Sequence, residues 1–370
     1  SDQWAFLASV CPMSPAELES AIQNATGGGH PLDVAFITEE DEREPWKRKL
    51  PPKKIVGILP DKITAVLANQ IYFEKNQLPQ SLMNRLIRLA AFQNPDLYKA
   101  QAMRFPVWDK PRIIGCAENY PKHIALPRGC LDAVTKLLDE NGIALEFNDE
   151  RFSGEPLPLK FTGQLRPDQE KAVKAMMVHD TGVLCAPTAF GKTVTAAVLI
   201  ARRGVNTLIL VHRTELLKQW QERLRSFLNL EKGDLGTIGA GKRKPSGKID
   251  IAVMQSLTRK GEISDLIEQY GHIVVDECHH ISAVSFDQLL RRAKARYVLG
   301  LTATPIRRDG QHPIIFMQCG PIRHEAKQPE GAPKSLMVIP RLLAAPLSSD
   351  PAMGIQDIFR QLADSIERSQ

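Results

Sequence analysis

The chain has 370 residues, 43% of them hydrophobic and 24% charged, with a formal net charge of +6. That is enough material for two or three compact units of ordinary globular composition, and the mild basicity is compatible with a polyanionic partner without proving one. No apolar run reaches the roughly 18 residues of a membrane span, and the opening SDQWAFLASVCPMSPAELES has neither a basic start nor a cleavable apolar stretch. The sequence therefore predicts no transmembrane helix, no signal peptide and no membrane partner.

Residues 1–55 are poorly patterned: NATGGGHP (24–31) reads as a turn and EEDEREPWKRKLPPKK (39–54) as a charged linker. LPQSLMNRLIRLAAFQN (78–94) places Leu82, Leu86, Leu89 and Ala90 at helical spacing, so one amphipathic helix is expected, ended by Asn94-Pro95. Residues 111–150 read as a small α/β unit with strands RIIGCAE, HIALP and IALEF and the helix CLDAVTKLLDENG. Nothing in that unit is catalytic by residue type or spacing.

After FSGEPLPLKFTG (152–163) the pattern changes. Strands are expected at 182–186, 207–212, 249–256, 272–277, 297–304 and 314–320, with helices at 192–203, 214–228, 258–270 and 285–295. Continuous apolar strands alternating with helices predict an α/β fold, a parallel sheet covered by helices on both faces. The small α/β accessory unit and a helical or irregular N-terminal region would precede it. Ligands of such sheets bind at the carboxyl ends of the strands. The six cysteines, 11, 116, 130, 185, 278 and 319, form no Cys-x-x-Cys pair. Reduced thiols in a cytoplasmic setting are expected, with no zinc site.

The octamer APTAFGKT (186–193) follows one expected strand and opens the next helix. It matches the phosphate-loop pattern G-x-x-x-x-G-K-[ST], with Ala186 at the first glycine. The loop Pro187, Thr188, Ala189, Phe190 and Gly191 would turn backbone N–H groups toward phosphates. Lys192 would reach the β- and γ-phosphates and the Thr193 hydroxyl would hold Mg²⁺. ATP with Mg²⁺ is the ligand pair this predicts. In HIVVDECHH, Asp276 and Glu277 close an apolar strand. Asp276 suits the Mg²⁺ water shell, Glu277 suits polarising the attacking water, and His279 is placed to relay the state of the γ-phosphate. Thr302 and Thr304 in LGLTATP would offer hydroxyls near these carboxylates. Gln169 in LRPDQ can both donate to and accept from an adenine edge. Three basic clusters suit a backbone-tracking, salt-sensitive contact: Lys242, Arg243, Lys244 and Lys248; Arg291, Arg292, Lys294 and Arg296; Arg307 and Arg308. Each also suits plain surface charge.

Taken together, LRPDQ, APTAFGKT, VHRTELLKQW, VMQSL, DECHH and GLTATPIRRDG resemble, in order, the first RecA-like domain of superfamily 2 helicases. The match is nearest the XPB-like branch, with type III restriction motors beside it, and covers about residues 160–345. The resemblance implies that Gln169 reads adenine, that Asp276, Glu277 and His279 form motif II as DECH, and that Thr302 and Thr304 couple hydrolysis to strand movement. It implies backbone contacts to nucleic acid from His212, Arg213, Thr214 and Ser256. RIIGCAENYPKHIALPRGCLDAV is similar to the small DNA-recognising domain that precedes such motors. With the segment before it, it also resembles helicases of prokaryotic TOTE conflict systems, a defence setting. Only IQDIFRQLADSIERSQ (355–370) remains after PRLLAAPLSSDPAMG, so a second RecA-like domain with its arginine finger is expected in a longer parent chain, and these residues alone are expected to turn over weakly. The function this implies is an ATP-driven helicase or translocase on single-stranded or forked DNA. An RNA helicase and an ATP-gated DNA-structure-binding module remain open alternatives.

Overall fold

A computed structural model of the chain describes residues 55, 57–259, 262–278, 283–303 and 313–326. His279, Thr304, Arg307, Arg308, the linker at 39–54 and the helix expected at 355–370 lie outside the described residues.

The first sheet has five strands: β1 (Lys62–Leu67), β2 (Ile71–Glu74), β3 (Glu118–Asn119), β4 (His123–Leu126) and β5 (Ala144–Asp149). Their order is β3-β4-β2-β1-β5, antiparallel except for the β1–β5 pair. Strict alternation puts Ile63, Ala65, Leu67, Ile71 and Phe73 on one buried face. Helices α1 (Gln80–Leu89) and α3 (Leu131–Glu140) cover that face with Leu82, Leu86, Val134 and Leu138. The helix expected through residue 94 stops five residues early. Ala91–Gln93 is instead a short strand paired with Ile113–Gly115. Asn94 does not end a helix; its side chain accepts from the Asp96 N–H and starts α2 (Pro95–Ala102), with Pro95 at the first turn.

The second sheet has eight strands: β6 (Thr181–Cys185), β7 (Thr207–Val211), β8 (Leu235–Gly239), β9 (Lys242–Lys244), β10 (Ile249–Val253), β11 (His272–Val275), β12 (Tyr297–Thr302) and β13 (Ile322–Glu325). The order is β9-β8-β10-β7-β11-β12-β6-β13, and every pair is parallel except β8–β9 at one edge. The period of two sorts the apolar strand residues between two cores. Ile209, Val211, Val274, Leu299 and Leu301 pack under α4 (Pro167–Met177), α5 (Lys192–Arg203) and α6 (Thr214–Phe227). Leu208, Leu210, Ile273, Val275 and Val298 pack against α7 (Ala283–Arg292), α8 (Pro313–Cys319) and the core of the first sheet. Both faces are therefore covered, as two-sided apolar strands require.

Three expected elements differ. IIFMQCG is not a strand: Pro313 opens α8 there, which buries Ile314, Ile315 and Cys319, and the strand comes one step later as β13. A short apolar run carries too few periods to separate strand from helix. The helix expected at 258–270 is a small hairpin, Thr258–Arg259 with Glu262–Ile263, followed by the 3-10 turn Asp265–Gln269. The basic cluster at Lys242–Lys244, where no strand is expected, is the antiparallel edge strand β9.

The sheets meet where the strands of the second one begin. Arg128 is buried and donates to the carbonyls of Asn69 (2.9 Å), Leu290 (3.0 Å) and Ala295 (3.1 Å), and also to that of Ala293. Burial pulls its pKa down to about 10. Asp180, just before β6, accepts from Arg151 and Arg296. Arg323 in β13 pairs with Asp132 of α3. Gly129 lies so close to α8 that an added Cβ would stand 1.8 Å from the Phe316 carbonyl oxygen.

Candidate nucleotide site

At the opposite edge the parallel strands finish side by side, so the segments after β6, β7, β10, β11 and β12 share one rim. β6 ends at Cys185, and the Ala186 N–H donates to the Thr302 carbonyl at the end of β12 (2.9 Å). The chain then turns through Ala189 at φ 71° and Gly191 at φ 89° into α5. The left-handed turn at Gly191 needs a residue without Cβ, and one there would also strike Gln169 Nε2 at 2.5 Å. No side chain caps the N-terminus of α5, which leaves its first N–H groups directed into the loop. Phe190 is buried and pins the loop from below.

Gln169 and Arg166 fasten this turn from α4. Gln169 Nε2 donates to the Phe190 carbonyl at 2.8 Å and Oε1 accepts the Arg166 N–H at 3.0 Å. The Arg166 guanidinium donates to the same carbonyl at 2.6 Å and lies over the Phe190 ring. Gln169 is 4% exposed, so its amide here holds the phosphate loop in shape.

Lys192 opens α5. Its Nζ donates to the Ala186 carbonyl at 3.2 Å and stands 3.2 Å from Glu277 Oε1. Glu277 follows β11 at φ 47°, a left-handed conformation that a residue other than glycine keeps only where its surroundings impose it. Asp276 beside it is 7% exposed and accepts a hydrogen bond from Trp220 Nε1 at 2.7 Å. Burial raises the Asp276 pKa and the Glu277 charge adds to that; the Trp220 and Lys192 contacts oppose it without cancelling it. A cleft lined by Thr188, Ala189, Thr193, Trp220, Arg223 and Asp276 opens onto this rim. The donor set fits a nucleotide phosphate with a divalent cation: uncapped N–H groups and an amine face a buried carboxylate whose surroundings favour a proton until a cation arrives.

The structure brings Lys192, Asp276, Glu277, Thr193 and the loop 187–191 together. His212 and Arg213, just past β7, line a shallower depression with Glu277. Thr214 opens α6 at the surface, and Ser256 is exposed in the 3-10 turn Met254–Leu257 after β10, next to Gly239. Thr302 is fully buried at the end of β12. The basic cluster before β12 is already engaged. Arg291 pairs with Glu118 and Asp287, Arg292 with Asp265 and Glu268, Lys294 with Glu268 and Arg296 with Asp180. Those ion pairs, at the strand-entry end, account for the charge without a polyanion. Cys278, between Glu277 and His279, is fully buried, which pushes its thiol well above the ordinary range, so it packs rather than reacts. Sequence reasoning missed Trp220; the signal available was an indole on the buried face of α6, whose N–H needs an acceptor.

Known proteins match this arrangement. The family profile described as "Type III restriction enzyme, res subunit" matches residues 162–307. The DNA 3'-5' translocase XPB2 of Sulfurisphaera tokodaii is 32% identical over 191 residues, 51% of this chain and 42% of that protein. The DNA 3'-5' helicase XPB of Mycobacterium tuberculosis is 34% identical over 178 residues, 46% of this chain and 32% of that protein. The match thus spans less than half the length of these curated relatives. The crystal structure of the UvsW helicase from bacteriophage T4 superposes with a TM-score of 0.53 at 19% identity, covering 70% of this chain and 99% of that one. Residues 162–307 thus carry the sequence similarity to type III restriction res subunits, and the fold over 70% of the chain is similar to that of the UvsW helicase. Among the described residues, no helix is long and apolar enough to cross a membrane.

Proposed function

We propose that the chain is the nucleotide-binding half of an ATP-dependent DNA helicase or translocase. One observation carries this reading: Lys192 Nζ of the phosphate loop meets Glu277 Oε1 at 3.2 Å, with the buried Asp276 alongside. The loop backbone and Lys192 bind the phosphates of ATP. Thr193 and Asp276 are the residues that would hold Mg²⁺, whose bound charge would neutralise the phosphate oxygens. Incoming phosphates compete with Glu277 for Lys192. Losing that partner frees the Glu277 carboxylate to take a proton from the attacking water. Gln169 ties adenine recognition to the loop through Phe190. His212, Arg213, Thr214 and Ser256, on the same rim, would track a nucleic-acid backbone, with Thr302 linking the two. His279 and Thr304 keep their expected roles in this reading. A second RecA-like domain would supply the outer wall of the site. The buried thiols suit a cytoplasmic protein, and the resemblance to TOTE helicases suits a role in prokaryotic defence.

The test is nucleotide binding and DNA-stimulated hydrolysis. Lys192→Ala should abolish MgATP binding measured by calorimetry. Glu277→Gln should bind MgATP at least as tightly as the parent, because a competitor for Lys192 is gone, while hydrolysis falls by about 10²–10⁴-fold. Normal hydrolysis by Glu277→Gln would remove Glu277 as the base. An RNA motor is the second reading. It is favoured by a 31% identical relative, the putative ATP-dependent RNA helicase L396 of Acanthamoeba polyphaga mimivirus, which matches 46% of this chain and 33% of that protein. Stimulation by RNA but not DNA would select it.

A further inference from the structure

We propose that the outcrop between Gln93 and Ile113 is a stacking surface for unpaired nucleic-acid bases. This rests on the reading that the protein acts on nucleic acid, but it uses a part of the molecule remote in sequence from the phosphate loop. The outcrop leaves and re-enters the fold at one point. Gln93 pairs with Ile113, the Asn94 N–H donates to the Arg112 carbonyl at 2.9 Å, and the Asn94 side chain donates to the Pro111 carbonyl at 2.8 Å. Within it, α2 buries Leu97 and Ala100 as an anchor.

Beyond that anchor the apolar side chains face solvent. Phe105 is 61% exposed and Trp108 is 89% exposed. Three of the five exposed aromatic residues among those described, Tyr98, Phe105 and Trp108, lie in this outcrop. The turn that presents Phe105 is built rather than loose. Arg104 holds φ 58°, and the Arg104 and Phe105 N–H groups donate back to Gln101 and Ala100 at 3.0 and 2.8 Å. A non-glycine residue keeps that conformation only where its surroundings impose it.

Exposed rings alone would suit many apolar partners. Here Arg104 on one side and Lys110 and Arg112 on the other flank Phe105 and Trp108 along the chain, and Arg104 and Arg112 are exposed. Flat apolar faces flanked by cations match a polyanion whose apolar parts are flat, which is a nucleic acid with open bases. Bases inside a duplex already stack on each other, so the surface selects an unpaired strand. The acidic residues of the outcrop are Asp96, in the first turn of α2, and Asp109, which pairs with Lys110 at 3.1 Å. Neither removes the two exposed arginines.

The experiment measures binding of the whole chain, without nucleotide, to fluorescein-labelled oligodeoxythymidine and to an abasic strand of equal length. The parent should bind the base-bearing strand about tenfold more tightly than the abasic one, the value of one good stacking contact. Tryptophan fluorescence should be quenched by the base-bearing strand only. Trp108→Ala and Phe105→Ala should lose the discrimination while binding the abasic strand as the parent does. Arg104→Glu combined with Arg112→Glu should weaken both strands alike. Trp108 is so exposed that its replacement leaves the fold intact, and an unchanged thermal midpoint verifies this. Equal binding of the two strands by the parent, or discrimination that survives Trp108→Ala, overturns the proposal and leaves the surface to a protein partner. Loss of MgATP binding in Lys192→Ala is scored separately, so the motor reading and the stacking surface fail independently.

Discussion

The two ends of the parallel sheet are built to opposite rules. Where the strands begin, Arg128 spends its guanidinium on four backbone carbonyls, Asp180 joins Arg151 to Arg296, and Gly129 lets a turn of the first sheet press directly on α8. Where the strands finish, Ala189 and Glu277 sit at positive φ, α5 starts without a side-chain cap, and a buried carboxylate favours its proton. One end joins two sheets through ion pairs and buried guanidinium–carbonyl hydrogen bonds. The other keeps strain, uncapped N–H groups and a poorly solvated acid in reserve for a ligand. Stability and chemistry are thus assigned to opposite edges of the same strands, and substitutions should separate them.

The largest effect belongs to the joining end. Gly129→Ala would put a methyl group 1.8 Å from the Phe316 oxygen and 2.7 Å from that of Met317, both backbone atoms that cannot swing aside. Urea unfolding should show a loss of more than about 4 kcal/mol, in the range reserved for a named steric or polar disaster. Lys192→Ala, at the other end, should leave the unfolding midpoint unchanged while it removes nucleotide binding. If Gly129→Ala unfolds like the parent, the two ends are not specialised in this way.

The parts legible in the sequence were those that local pattern or chemistry dictates. β7 and β11 show as TLILV and HIVV because both of their faces are buried, which fills every position after the first with an apolar residue. Lys192, Thr193, Asp276 and Glu277 show because phosphate and cation chemistry demand those types after those strands. What stayed hidden depends on distant partners. The six residues of α8 before its end could equally have been a strand, and only their packing on Arg128–Cys130 and β6 decides. Arg291 to Arg296 looked like a polyanion path because their carboxylate partners, apart from Asp287 on the same helix, lie elsewhere in the chain. Trp220 looked like one more core residue until the fold set Asp276 against it.

Asp276→Asn tests the ligand end on both counts at once. Between the ordinary carboxylate range and its raised value, the folded state keeps the Asp276 proton that the unfolded chain has released. That group's contribution to stability therefore falls as pH rises through this window. The neutral amide still accepts from Trp220 but carries no charge to desolvate. Asn should raise the thermal midpoint at neutral pH, and this gain should vanish in acid. Mg²⁺-dependent nucleotide binding should be lost at every pH. A variant that is less stable than the parent would show that the Asp276 charge supports the apo fold rather than straining it.

The smallest and sharpest test is Trp220→Phe. An aromatic ring is kept, while the N–H to Asp276 and part of the buried indole volume are lost, so the pH dependence is what separates the hydrogen bond from packing. That bond is one of the influences that lower the Asp276 pKa, against its burial and the Glu277 charge, while Lys192 acts in the same direction as Trp220. Without it the carboxyl holds its proton to still higher pH. Mg²⁺-dependent binding should therefore fail at a higher pH as acid is added, so the acid limb moves up. The Mg²⁺ needed for half-maximal effect should also rise by about tenfold, the low end for a group that orients a metal ligand. Both changes should shrink as the pH is raised and Asp276 ionises fully, whereas a packing defect would persist across the range. An acid limb that stays where it was would return Trp220 to the core and leave Asp276 oriented by the strand end alone.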